Sequence, residues 1–206
     1  MAEAAQLALP YPETAVVERE TLAEQNDALA RSLPARPLVL GGCCCSHVGA
    51  VRGLAARGGR LAVVWFDAHG DLNTPETSPS GNEWGMSFRM ILDEGPVAAE
   101  DVALIGARNL DPPEADYLAA TGIDDSLDRA LDSVDGVYVA FDADVLEPAE
   151  AHVFMPEPQG MSVEAAESLL RDLVARAPLV GMGVTGLRSE PENVPVVTRL
   201  LAAAGL

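Results

Sequence analysis

The chain contains no lysine; all 13 of its basic residues are arginine. Against them stand 32 acids, for a formal net charge of −19. That balance argues against nucleic acid or an anionic membrane as a partner, because like charges repel. Aromatic residues are scarce, at 4 %, so alanine, valine and leucine have to fill the core. The only cysteines are adjacent: Cys43, Cys44 and Cys45. Neighbouring residues cannot staple a fold, so the sequence predicts reduced thiols in a cytoplasmic protein. No apolar run is long enough to span a bilayer, and the first six residues lack the basic n-region of a signal peptide.

What is present is length and apolar content. With 206 residues, 49 % of them hydrophobic, the chain can build one domain over 1–206 around a full core. Residues 1–12, with two prolines and no period, read as an irregular lead-in. Apolar spacing predicts helices over 14–33, 46–57, 84–93 and 193–204. Asp111-Pro112-Pro113-Glu114 opens another, with a cap, a proline at the first position and an acid at the third. Ser162 caps a helix running to Arg176. Short apolar runs predict strands over 37–40, 61–66, 102–106, 137–141 and 179–185. Strands and helices alternate, which implies a three-layer αβα fold around a mainly parallel central sheet. Residues 37–66 read as a βαβ unit with its two strands paired in parallel.

Two of these strands end in carboxylates. The run Val63-Val64-Trp65-Phe66 stops at Asp67-x-His69-x-Asp71, and Val137–Phe141 stops at Asp142-x-Asp144. If the extended conformation persists past Phe66, the alternating spacing points Asp67, His69 and Asp71 the same way. Open parallel sheets place ligands at the carboxyl ends of their strands. Hard divalent ions prefer carboxylate oxygens with one or two imidazoles. Packing so many carboxylates together without cations is costly. If the two strands are neighbours, these residues predict a binuclear metal site.

The central motif, Asp67-Ala-His69-Gly-Asp71-Leu-Asn73 with Ser78, Ser80 and Asn82 beyond it, resembles the arginase–agmatinase (ureohydrolase) family. Phe141-Asp142-Ala-Asp144-Val-Leu-Glu147-Pro148 looks like that family's second aspartate motif, and Gly41-Gly42 stands where its first motif would begin. The resemblance implies a binuclear Mn²⁺ centre, two ions per chain, whose bridging hydroxide attacks a guanidinium carbon. By position, Asp67 and Asp142 would contact both metals and serve as the catalytic pair. His69 and Asp144 would complete one metal, and Asp71 the other. Asn73, Ser78, Ser80 and Asn82 fall where the family binds the substrate's α-amino and α-carboxylate groups. The family also implies a homo-oligomer acting on a small molecule.

The chain departs from the family at several positions. Cys44 takes the place of the first motif's metal-binding histidine; a thiolate there shifts preference toward Zn²⁺ or Fe²⁺, whereas a merely packed Cys44 leaves one metal weak. His47 is a substitute ligand if the loop shifts, or else a helix-surface or supporting group. Trp84 replaces a proposed proton shuttle, and Gly186 falls near the family's guanidinium-binding glutamate. Glu190 and Glu192 lie beyond it. The resemblance therefore implies a metal-dependent hydrolase of C–N bonds in guanidino or amidino groups. The competing expectation is a non-catalytic or partner-dependent metal-binding homologue. Gly181-x-Gly183-x-x-Gly186 fits a dinucleotide fingerprint but lacks the helix such a site needs, so it reads as strand interior. His152 reads as surface.

Overall fold

The computed structural model describes residues 6–206. Residues 1–5 of the lead-in lie outside the described residues, and residues 7–20 form no helix or strand. Helix α1 (Leu22–Ser32) starts eight residues after the start expected from apolar spacing, because Thr21 caps it: its hydroxyl accepts the Glu24 N–H. Val16, counted in that spacing, is exposed. The remaining elements are β1 (Leu38–Leu40), α2 (Cys45–Ala55), β2 (Leu61–Phe66), α3 (Ser87–Glu94), β3 (Val102–Ile105) and α4 (Pro112–Thr121). Then follow α5 (Leu127–Ala130), β4 (Gly136–Asp142), α6 (Val163–Arg176), β5 (Leu179–Thr185) and α7 (Asn193–Ala203).

All five strands are parallel, in the order β1-β5-β4-β2-β3. β1 and β2 therefore do not pair, contrary to the simple βαβ reading; β5 and β4 lie between them. Alternate residues along each strand serve opposite layers. Val64, Phe66, Val139 and Phe141 pack with α6 and α7 residues such as Leu170 and Leu200. Val63, Trp65 and Tyr138 face the other way, toward Val51 of α2 and Phe88 of α3. Trp65 stacks on Phe88 with ring centroids 4.9 Å apart. With aromatics so few, these rings fill the centre of one layer.

Strand order creates a switch point. From β2 the chain continues outward to β3, while from β4 it turns the other way to β5, which inserts between β4 and β1. At such a point the following loops part and leave a crevice at the carboxyl ends. The register levels those ends: Phe66 lies opposite Phe141, Asp142 opposite Thr185, and Val184 opposite Leu40. Residues 41–47, 67–71, 142–144 and 185–186 are thereby gathered at one edge.

Candidate metal centre

Asp67 sits one residue past β2 and is almost fully buried. Its two oxygens face different neighbours. Oδ1 accepts the His69 N–H at 2.7 Å and lies 3.3 Å from His69 Nδ1. Oδ2 accepts Trp65 Nε1–H at 3.0 Å and lies 3.7 Å from Cys44 Sγ. Asp142 closes β4. Its Oδ1 accepts the Asp144 N–H at 3.0 Å, and its Oδ2 accepts Thr185 Oγ1–H at 3.0 Å with Cys44 Sγ at 2.9 Å. Asp144 Oδ1 accepts the Ala68 N–H at 3.0 Å, and Oδ2 lies 3.1 Å from His69 Nδ1.

These contacts form two groups of ligand atoms, each within 4.8 Å of one another: Cys44 with Asp67 and Asp142, and Asp67 with His69 and Asp144. Asp67 belongs to both. Asp71 is buried beside them but does not follow the straight alternation expected from the motif. β2 ends at Phe66, and Asp71 adopts a left-handed backbone with φ 52°. The turn is held from outside the motif. Glu114 Oε1 accepts the Leu72 N–H at 2.9 Å, while its Oε2 accepts the Asp111 N–H at 2.9 Å. The capping-box glutamate of α4 thus also anchors the metal-motif loop.

The electrostatics show a shortage of positive charge. Burial, followed by the neighbouring aspartate charge, pushes Asp142 up to about 7 and Asp144 up to about 6. Burial also raises Asp67 and lifts Asp71 well above the usual carboxylate range. The Cys44 thiol is raised by burial and by Asp142. Burial opposes protonation of His69, but its bonds to Asp144 and Asp67 outweigh that and push it up to about 11. Among the described residues no arginine pairs with any of these acids. Asp71 Oδ2 is buried without a hydrogen-bond partner. An orphaned buried oxygen among carboxylates of raised pKa is what a divalent cation would satisfy. The residues present fit such ions.

The other expected site residues are placed less simply. Asn73 is buried with both ends of its amide engaged: Nδ2 donates to Asp111 Oδ2 and Oδ1 accepts from Thr77 Oγ1, both at 2.9 Å. Ser78 and Ser80 lie on the loop beyond, where their oxygens accept the N–H groups of Gly81 and Asn82. Trp84 is half-buried in a 3₁₀ turn before α3. Gly186 has φ 73°, and a Cβ there would collide with Asp142 Oδ1. A glutamate at that position would be strained and would displace Asp142. Gly181 and Gly183 lie inside β5 with close packing, as strand-interior glycines. His152 is exposed.

Two residues near the site, Glu157 and Arg108, carried no signal of their own in the sequence, and a third, His47, takes one of the roles the sequence offered it. Glu157 Oε1 lies 3.5 Å from His69 Nε2, close enough for charge attraction but too long for a hydrogen bond, and that nitrogen has no other partner. Arg108 donates to the backbone carbonyls of Gly106, Asp144, Val145, Glu157 and Pro158, pinning the loop after β4. His47 is fully buried and bonds Tyr138 and Thr185, as a supporting group would, and it lies neither on the helix surface nor in either group of ligand atoms. Burial alone holds it down to about 3.

Residues 3–204 match the family model described as the Arginase family. An arginase of Staphylococcus aureus (strain COL) is 36% identical over 142 residues, covering 55% of this chain and 47% of the relative. The chain spans about half the length of the curated relatives it matches. The solved arginase of Bacillus subtilis subsp. subtilis str. 168 superimposes with a TM-score of 0.79 at 26% identity, covering 89% of this chain and 77% of that one. A proclavaminate amidino hydrolase from Streptomyces clavuligerus gives a TM-score of 0.74 at 25% identity, covering 91% and 72%. With its parallel sheet, its two aspartate-ended strands and a family match over nearly its whole length, this chain belongs to the arginase family.

Proposed function

We propose that the chain is a metal-dependent hydrolase that cleaves a C–N bond in a guanidino or amidino group of a small amino-acid-derived substrate. The observation that carries this reading is Asp67, which turns one oxygen toward each of two ligand groups. Two divalent cations held there would supply a nucleophile at neutral pH and draw charge from the reacting group. Asp67 and Asp142 would span both positions. His69, through Nδ1, and Asp144 would complete one; Cys44 and Asp71 would complete the other. The family resemblance implies Mn²⁺, and the thiolate of Cys44 moves the second position toward Zn²⁺ or Fe²⁺.

Ser78, Ser80 and Asn82 are the substrate-facing groups in this reading. The serine oxygens already accept backbone N–H groups, so a hydroxyl proton is left for a substrate carboxylate. Asn73 secures the base of that loop. The indole of Trp84 cannot relay a proton. Loss of general acid–base help costs typically about 10²–10⁴-fold, so turnover is expected to be slow. A neighbouring solved structure bears the name of an amidino hydrolase, which supports the bond type. The reading extends to a cytoplasmic homo-oligomer: the three thiols are free, and among the described residues β1 pairs with β5 alone. A monomeric mass by light scattering would count against assembly.

One observation favours a second reading, a non-catalytic or partner-dependent metal-binding homologue. It is the backbone at Gly186, whose positive φ and close approach to Asp142 disfavour a glutamate at that position. Elemental analysis of protein purified without chelators, then loaded with Mn²⁺ or Zn²⁺, separates the readings when paired with urea and ammonia release from guanidino and amidino compounds. Bound metal with turnover supports the hydrolase, and Asp67→Ala should then lose both. Bound metal without turnover on any compound selects the second reading. No bound metal overturns both.

A further inference from the structure

Behind the carboxylates lies a set of buried polar side chains that the metal assignment leaves without a role. His47 stands in the first turn of α2, Tyr138 in β4 and Thr185 at the end of β5, and all three are fully buried. His47 Nδ1 is 2.9 Å from Tyr138 Oη, and Nε2 is 3.3 Å from Thr185 Oγ1. Thr185 Oγ1 is in turn 3.0 Å from Asp142 Oδ2 and 3.3 Å from Cys44 Sγ.

The sense of each bond follows from the carboxylate end. As a cation ligand Asp142 is ionised and can only accept, so the single hydroxyl proton of Thr185 goes to Oδ2. Thr185 Oγ1 then has only lone pairs for His47, so Nε2 carries the imidazole proton. No carboxylate touches the ring among the described residues, which favours the neutral form, and a neutral imidazole leaves Nδ1 bare to accept from Tyr138 Oη–H. The donors run one way, from Tyr138 through His47 and Thr185 to Asp142.

The same ring reaches the other shared carboxylate. His47 packs edge-on against Trp65, with centroids 5.0 Å apart and planes at 74°. Trp65 Nε1–H donates to Asp67 Oδ2 at 3.0 Å. The space for this arrangement exists because position 183 is glycine. A Cβ there would lie 2.6 Å from His47 Cε1 and would collide with Tyr138 Oη.

We propose that His47 is a positioning residue of the metal centre, which fixes the lone-pair directions of Asp142 through Thr185 and of Asp67 through Trp65. The proposal rests on the metal-centre reading above. Groups that orient metal ligands from behind typically change metal affinity about 10–100-fold when removed. A ring that only fills space would leave affinity alone.

The test is the dissociation constant for Zn²⁺ and for Mn²⁺, measured on the full chain by competition with a chromophoric chelator. It is read beside the melting temperature of the metal-free protein. His47→Leu keeps bulk and removes both ring nitrogens. His47→Gln keeps an N–H that can donate to Thr185. Tyr138→Phe removes only the outermost hydroxyl. The expected result is an affinity about 10–100-fold weaker in His47→Leu, recovered in large part by His47→Gln, with Tyr138→Phe between them. Wild-type affinity in His47→Leu, whatever its melting temperature, overturns the proposal. If His47→Leu does not fold, Tyr138→Phe decides: an affinity weakened about threefold or more supports the proposal, and an unchanged one overturns it. If the wild-type chain itself binds neither ion, the metal-centre reading has failed, and this inference falls with it.

Discussion

Cys44 is the residue whose chemistry departs furthest from what surrounds it. Its sulfur lies 2.9 Å from Asp142 Oδ2 and 3.7 Å from Asp67 Oδ2, inside a ligand group otherwise made of carboxylates. A soft thiolate among hard oxygens selects borderline ions. Cys44→His is therefore expected to shift the preference from Zn²⁺ toward Mn²⁺, read as a change in the ratio of the two dissociation constants; an unchanged ratio would show that Cys44 is not a ligand. The aspartates make a second prediction, about pH. In the metal-free fold Asp142 and Asp144 titrate near about 7 and about 6, against an ordinary value of 3.8. Between those values the fold binds more protons than the unfolded chain, so its stability falls as pH rises. His69, held near about 11 against 6.5, acts in the same direction above neutrality. The chelated protein should therefore melt higher at about pH 5 than at about pH 7.5. Saturating cation should reverse the order, because cations compete with those protons. A chelated protein that gains stability from pH 5 to 7.5 would contradict this. At this scale the acids and histidine that the structure brings together were legible in the sequence, because strand-end acids announce themselves locally. Glu157 was not, and for His47 the sequence left open a ligand, a helix-surface or a supporting role, since a lone histidine or glutamate carries no local mark of what it will touch.

Elements were legible where a local signal marked them. Ser162 accepts the Ala165 N–H at 3.1 Å and starts α6 where the sequence predicts. β2 and β5 also match their expected spans, being short apolar runs that end at Asp67 and Gly186. α1 does not, because the apolar spacing continued upstream of its Thr21 cap into residues 14–20, which are irregular. Helix propensity without burial cannot hold a short segment. The loop after β4 had no regular signal at all, and its placement depends on Arg108. Five backbone carbonyls converge on that guanidinium. Arg108→Ala should cost about 2–3 kcal/mol or more, since it strands several carbonyls that now bond a charged donor. The measurement is a denaturant titration. A loss under about 0.5 kcal/mol would mean that water replaces Arg108 without penalty.

For the whole molecule the governing quantity is negative charge. The chain carries −19, and the acids of the site lie at one sheet edge with His69, among the described residues, the only basic side chain bonded to them. Divalent cations bound there would relieve repulsion as well as complete the ligand set, so metal and fold are linked. Binding at a hundredfold excess over the dissociation constant stabilises by about 2.7 kcal/mol per site. Addition of a strong chelator to metal-loaded protein is therefore expected to lower the melting temperature by several degrees. A chelator that leaves it unchanged would indicate that no cation is held by the folded state.

The sequence by itself determined the alternation of strand and helix, most element boundaries and the placing of acids and a histidine at two strand ends. Those depend on periodicity, caps and side-chain identity, which are local properties. Only the tertiary structure decided that β4 lies beside β2 while β5 separates β4 from β1. That order puts Asp67 and Asp142 at the ends of neighbouring strands, and it seats His47 behind Thr185 and Trp65. It also brings Glu114, from another element, under the turn at Asp71. Such contacts join residues tens of positions apart, and they form because each strand and helix must bury its apolar face against the others. No local pattern encodes that choice; it follows from packing the whole chain around one sheet.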